Sequence, residues 1–207
     1  MKIGIIAASG KAGALITKEA VQRGHEVTAI VRHPDRVKMD VSILQKDLFD
    51  LTTTDLENFD VVVDAFRAAE GKEEQFLTSI EHLVKILTGT SVKLFVVGGA
   101  GSLYVDDHIT HLYETPTFPE VFKSTSIMMG RGLEVLENQN GLNWTYISPA
   151  ADFKADGPKK GHYVLGNEML MSDANGKSEI SYADYAIAML DEIETGEHNC
   201  EHLSVVW

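Results

Sequence analysis

The chain has a single cysteine, Cys200, among 207 residues, so neither an internal disulfide nor a cysteine-built zinc site can form. Cations are scarce. Eighteen Lys and Arg face 31 Asp and Glu, a formal charge of −13, and beyond Lys177 there are acids but no Lys or Arg. Such a surface repels phosphate backbones and argues against nucleic acid as a partner. It does not exclude a small anion, which needs only local backbone amides and one or two cations. Long apolar runs are also missing, so no membrane span is expected. Met1–Ala8 is apolar but stops at Ser9-Gly10-Lys11, too short for a signal peptide, and the expected location is cytoplasmic. Neither repeats nor low-complexity stretches occur.

What is present is an ordinary globular composition, 44% apolar and 24% charged. The length suits one domain, 1–207, with a small substrate-side insertion at 150–178. Strand-like runs are expected at Ile3–Ala8, Val27–Val31, Val41–Leu44, Asp60–Ala65, Lys93–Val97 and Asn143–Ser148. Between them lie helical patterns. Lys11–Arg23 carries Ala12, Leu15, Ile16 and Ala20 on one face, and Phe76, Ile80, Leu83, Val84 and Leu87 form another such face. A long helix is expected over about Pro119–Asn138. This alternation predicts an α/β Rossmann fold, a doubly wound and mostly parallel sheet ordered 3-2-1-4-5-6, with ligands at the carboxyl ends of the strands. Past Pro149 only short runs appear, such as His162–Leu165 and Met169–Met171, until Ser181 and Asp184 open a last helix and Leu203–Val206 offers a last strand.

The first strand and helix enclose Ala7-Ala-Ser-Gly-Lys-Ala-Gly13. Gly10 would let backbone approach a pyrophosphate, Gly13 would let helix pack close on strand, and the helix N-terminus supplies amide donors. A tight turn without a ligand is the plain alternative. A P-loop is excluded, because the required Gly and Ser/Thr positions hold Ile5 and Ala12. The second strand ends in Val31-Arg32-His33-Pro34, with no acid to bind a ribose 2′-hydroxyl. Arg32 there can pair with a 2′-phosphate, with Lys11 as a second cation, so NADP is expected and NAD remains possible. The competing reading of Arg32 is a solvated charge at a strand end.

These residues resemble a known family. Ala7–Gly13 is similar to the G-A-T-G-x-x-G loop of atypical short-chain dehydrogenase/reductases, and Val31-Arg-His-Pro34 to their V-R-N-P turn. Gln45-Lys-Asp47 is similar to the G-D after their third strand. Val97-Gly-Gly-Ala-Gly-Ser-Leu103, Trp144-Thr-Tyr-Ile-Ser-Pro149 and Ile180-Ser-Tyr-Ala-Asp-Tyr-Ala186 resemble the NADH-flavin reductase group, itself similar to biliverdin-IXβ/flavin reductase and to NmrA-like regulators. The resemblance implies a cofactor cradle of Ala7, Ser9, Gly10, Lys11, Ala12 and Gly13, with Arg32 at the adenosine ribose and Asp47 and Leu48 at the adenine. It implies Ala65 and Phe66 beside the ribose and pyrophosphate, and Gly98 and Gly99 beneath the nicotinamide half. Ala7 departs from the family glycine, and alanine is tolerated there if φ is negative; Arg67 stands where a Gly is common.

Short-chain dehydrogenases pair a Ser with a Tyr-x-x-x-Lys helix. Ser102 matches the Ser and is the catalytic candidate, yet no tyrosine here is followed by lysine at that spacing. A ketone reductase must protonate a developing alkoxide, so its usual acid is missing. A flavin accepts hydride at N5 and spreads the charge over its ring. Hydride transfer to a flavin, as substrate rather than prosthetic group, or to a similar conjugated acceptor is therefore expected; the alternative is an NmrA-like dinucleotide sensor without turnover. Tyr104, Phe118, Phe153 and Tyr163 are expected to gather over the nicotinamide for a planar small-molecule substrate. His108, His111, Asp106 and Asp107 read as loop charge rather than a metal site, and Cys200 as a partly buried residue. A monomer or small homo-oligomer is expected.

Overall fold

The computed structural model describes residues 1–207. Its elements run β1 (Lys2–Ile6), α1 (Lys11–Gln22), β2 (Glu26–Val31), β3 (Ser42–Gln45), α2 (Thr53–Leu56), β4 (Val61–Asp64) and α3 (Gln75–Leu87). There follow β5 (Lys93–Val97), α4 (Glu120–Asn138), β6 (Asn143–Pro149), β7 (Asp152–Lys154), β8 (Val164–Gly166), β9 (Glu179–Ser181), α5 (Tyr182–Thr195) and β10 (Glu201–Val206). One eight-stranded sheet has the order β3-β2-β1-β4-β5-β6-β10-β8, and β7 pairs with β9 apart from it. All main-sheet pairings are parallel except β10 with β8. This is the expected Rossmann arrangement, extended past the sixth strand by β10 and β8.

Two layers cover the sheet, because successive side chains on buried strands point to opposite faces. Ile3, Ile5, Val61, Val63, Phe95 and Ile147 face α1 and α5, joined by Met189 and Leu190. Ile6, Val62, Leu94, Val96, Trp144 and Tyr146 face α3 and α4. Helix α5 begins at Ser181, whose hydroxyl accepts from Asp184 N–H. Asp184 does not complete the reciprocal box. Its fully buried carboxylate instead accepts from the N–H groups of Lys160 and Gly161, the Trp207 indole and the Ser181 hydroxyl. Burial alone would raise its pKa; those donors outweigh it and hold the carboxyl below its ordinary value. Segment 150–178 is thereby tied to α5 and to the chain end.

Candidate functional site

The carboxyl ends of β1, β4 and β5 lie side by side, and the loop Ala7–Gly10 leads from β1 into α1. Gly10 caps the helix in extended conformation, no side chain caps the first amides, and no acid sits in the first turn. The orphan N–H groups and positive pole of a twelve-residue helix are thus left open beside exposed Ser9, Gly10 and Lys11. Gly13 lies against the loop so closely that a Cβ would run into the Ala7 carbonyl oxygen. Ala7 does not meet the condition of a negative φ. Its φ is +57°, the left-handed region, fixed by its N–H on Ile30 O at 2.9 Å and its carbonyl on Gly10 N–H at 2.8 Å. The first family glycine answers this conformation, and alanine adopts it here under strain.

At the β2 end Arg32 is exposed, with Nη1 3.6 Å from Asp47 Oδ2. Asp47 also accepts from Phe49 N–H at 3.0 Å, which closes the turn after β3. Leu48 is 4% exposed and belongs to the α3-side core, which removes it from the surface around Asp47. Ala65 and Phe66 are half-buried, and the Phe66 ring meets Phe49 and Phe76 edge-on at 6.0 and 6.2 Å.

Sequence reasoning passed over Asp64, the last residue of β4. Its carboxyl is 4% exposed, accepts from Phe66 N–H at 3.0 Å and has no ion-pair partner. Burial raises its pKa to about 6, against a smaller opposing pull from that N–H. It lines a cavity of about 10 Å³, room for a single water, with Phe66, Phe76, Met129 and Tyr146. The Tyr146 hydroxyl is buried, and although Gly99 and Ser102 are close by, neither completes a hydrogen bond with it. An acid closing the strand Val61-Val-Val was the one available signal.

Gly98 and Gly99 follow β5, and a Cβ on Gly98 would strike the Tyr146 ring, so that glycine is required by packing beneath the loop. Ser102 is 2% exposed and directs its hydroxyl to Gly99 O at 3.1 Å; its own carbonyl meets His111 Nδ1 at 2.8 Å. Facing this loop, α4 presents Ser126, Met129 and Gly130. None of these can replace the missing tyrosine acid.

The four aromatic candidates are not brought together. Phe153 stacks on Tyr182 with centroids 3.9 Å apart and packs with Tyr163 in the α1/α5 layer. Tyr163 donates to Asp191 at 2.7 Å, the carboxylate that also holds Arg23 just past the end of α1. That is about 18 Å along the helix axis from the glycine loop. Tyr104 lies in the opposite layer, stacked on His111 with centroids 4.3 Å apart. Phe118 is half-buried in the loop before α4. The loops after β5 and β6 leave the sheet into different layers, which side-chain type alone does not reveal. Cys200 is exposed rather than partly buried.

Comparison with known proteins agrees with the fold. The sequence profile of an NAD(P)H-binding family matches residues 7–195. Uncharacterized protein YwnB of Bacillus subtilis (strain 168) is 49% identical, with 100% of this chain and 98% of that one covered. The crystal structure of SP1627, a putative NADH-flavin reductase from Streptococcus pneumoniae TIGR4, is 48% identical over 100% of this chain and 99% of that one, with a TM-score of 0.96. ChuY, an anaerobillin reductase from Escherichia coli O157:H7, shares the fold with a TM-score of 0.76 at 15% identity, covering 100% and 97% of the two chains.

Proposed function

Because the chain belongs to the NAD(P)H-binding family, we propose that it is a reductase that takes hydride from NADPH and passes it to a flavin or a similar conjugated ring. The observation that carries this reading is the uncapped α1 N-terminus behind Ala7–Gly13, combined with an α4 that offers no acid toward Ser102. The cradle fits a pyrophosphate: Gly10 is exposed and without a side chain, and the amides behind it have no cap. Ser9, Lys11, Ala12 and Gly13 complete the cradle, with Ala65 and Phe66 beside it. The cofactor supplies the hydride. Arg32 selects the 2′-phosphate, and Asp47, 3.6 Å away, moderates that selection by competing for the guanidinium. Gly98 and Gly99 form the floor under the nicotinamide half, and Ser102 holds the floor's shape by donating to Gly99 O. The name of SP1627 favours the flavin acceptor.

The test is consumption of NADPH by purified protein with FMN or riboflavin, beside simple aldehydes and ketones. Turnover is expected with the flavins alone. Ketone reduction that disappears in Ser102→Ala would overturn the assignment. Saturable NADPH binding without consumption by any acceptor would identify a sensor instead.

A further inference from the structure

On the α4 face of β6 and β10, away from the glycine loop, the sheet carries an open groove of about 310 Å³. Its walls include Tyr104, His108, Glu137, Glu168, Glu201 and His202, with Trp144 at the floor, and no lysine or arginine lines it. The α1/α5 layer does not reach this face, and α4 covers β6 but not β10, so the loop of Tyr104 and the segment around Glu168 form the far wall. Those two are joined by Tyr104 N–H on Glu168 O at 2.9 Å.

His202 defines the chemistry of the floor. The side chain is 8% exposed, and its Nε2 lies 2.8 Å from Ser148 Oγ, which also lies 3.0 Å from Gly99 O. A carbonyl only accepts, so Ser148 must give its single hydrogen to Gly99 and accept from Nε2–H. The second ring nitrogen, Nδ1, is left as a bare lone pair without a protein partner, on a ring that lines the groove. Burial holds the ring neutral, with its pKa lowered to about 3.

The groove floor and walls are rich in acceptors, the Nδ1 lone pair and three carboxylates, and the donors among them are the Tyr104 hydroxyl and His108, whose Nδ1 lies 3.3 Å from Glu168 Oε1. Glu137 and Glu201 have no ion-pair partner. Burial, then Glu134 and Glu168, push the Glu137 pKa up, and burial, then Glu137 and Glu168, do the same to the Tyr104 hydroxyl. A metal ion is not the complement, since no three His, Cys, Asp or Glu side chains come close enough to share one. The Tyr104 ring, one face of which is taken by His111, lines the groove above the buried Trp144 and suits a flat or slender cation. We propose that this groove is a second binding site, taking a small organic cation that carries N–H donors, of the guanidinium or amidinium class.

Agmatine is the probe, titrated by calorimetry into the full chain at moderate salt. One equivalent is expected to bind with a Kd below about 1 mM. Glu137→Gln with Glu168→Gln should weaken binding by about tenfold or more, the scale of lost charge-assisted hydrogen bonds. The exposed pair Glu26→Gln with Glu57→Gln removes the same charge elsewhere and should leave Kd within about twofold. Tetramethylammonium, which has no N–H, should bind about tenfold more weakly than agmatine. In the wild-type chain the Trp144 indole resonance should shift on titration and that of Trp207 should not, a readout independent of any variant. Absence of saturation, equal loss in the two double variants, equal affinity for tetramethylammonium, or a shift at Trp207 alone would each overturn the site and leave only general attraction to an acidic surface.

Discussion

Asp64→Asn should stabilise this protein, and by an amount that depends on pH. In the unfolded chain an aspartate titrates near 3.8; in the fold, burial moves Asp64 to about 6. A raised carboxyl pKa means that the folded state favours the neutral form. The contribution of Asp64 is fully present below pH 3.8 and is lost as pH rises through 6. The displacement corresponds to roughly 3 kcal/mol at pH 8, about 1 kcal/mol at pH 4.5 and almost nothing at pH 3. Asparagine keeps the acceptor for Phe66 N–H while removing the buried charge, so the variant should gain those amounts. For a chain of this size that means a Tm higher by about 6–12 °C at pH 8 and about 2–4 °C at pH 4.5. Thermal unfolding followed by circular dichroism at the two pH values measures both. An equal gain at both, or a loss at pH 8, would refute the reasoning. The second result would mean that the ionised carboxylate has a partner in its cavity.

His202 acts at the other end of the pH range. Its pKa falls from 6.5 to about 3 on folding, so its contribution is present above pH 6.5 and is lost as pH falls toward 3. Urea unfolding should show about 2 kcal/mol lost between pH 7.5 and 5 from this group, and His202→Gln should flatten that limb. Ala7→Gly should raise stability by about 0.5–1 kcal/mol, because it relieves the left-handed strain at φ +57°. Unchanged or lower Tm would mean the conformation is unstrained. Gly10→Val should abolish NADPH binding in fluorescence titration while the chain stays folded, since the side chain would stand where backbone must meet the pyrophosphate. Arg32→Ala should weaken NADPH by about tenfold or more and leave NADH unchanged, with Asp47→Asn acting in the opposite direction on NADPH.

The first six strands and their order are legible from apolar runs alone, because a parallel sheet buried on both faces leaves little ambiguity of period. Strand β10 is visible as a run, but its place outside β6, with β8 beyond it, is set by long-range pairings of five residues with β6 and three with β8 that no local pattern encodes. The loop of Ala7 is legible as a turn between strand and helix. Its backbone conformation is not, because alanine gives no sign of a positive φ. Asp64 is hidden for a related reason: a lone acid after three valines reads as a strand end until the helices covering it are known. The aromatic candidates fail through topology, since Tyr104 and Tyr163 leave the sheet on opposite faces.

The position of β10 bears on how the chain is made. The final strand of the sequence is an internal strand of the sheet, between β6 and β8, and Trp207 closes onto Asp184 and Lys160. While β10 is still in the ribosomal tunnel, β8 has no neighbour and β6 presents an open edge of unpaired N–H and C=O groups. The N-terminal strands can assemble during synthesis, but the sheet is completed only once β10 has emerged. In that interval β6 is a template for another nascent chain, and a truncation that removes β10 would leave that edge exposed for good.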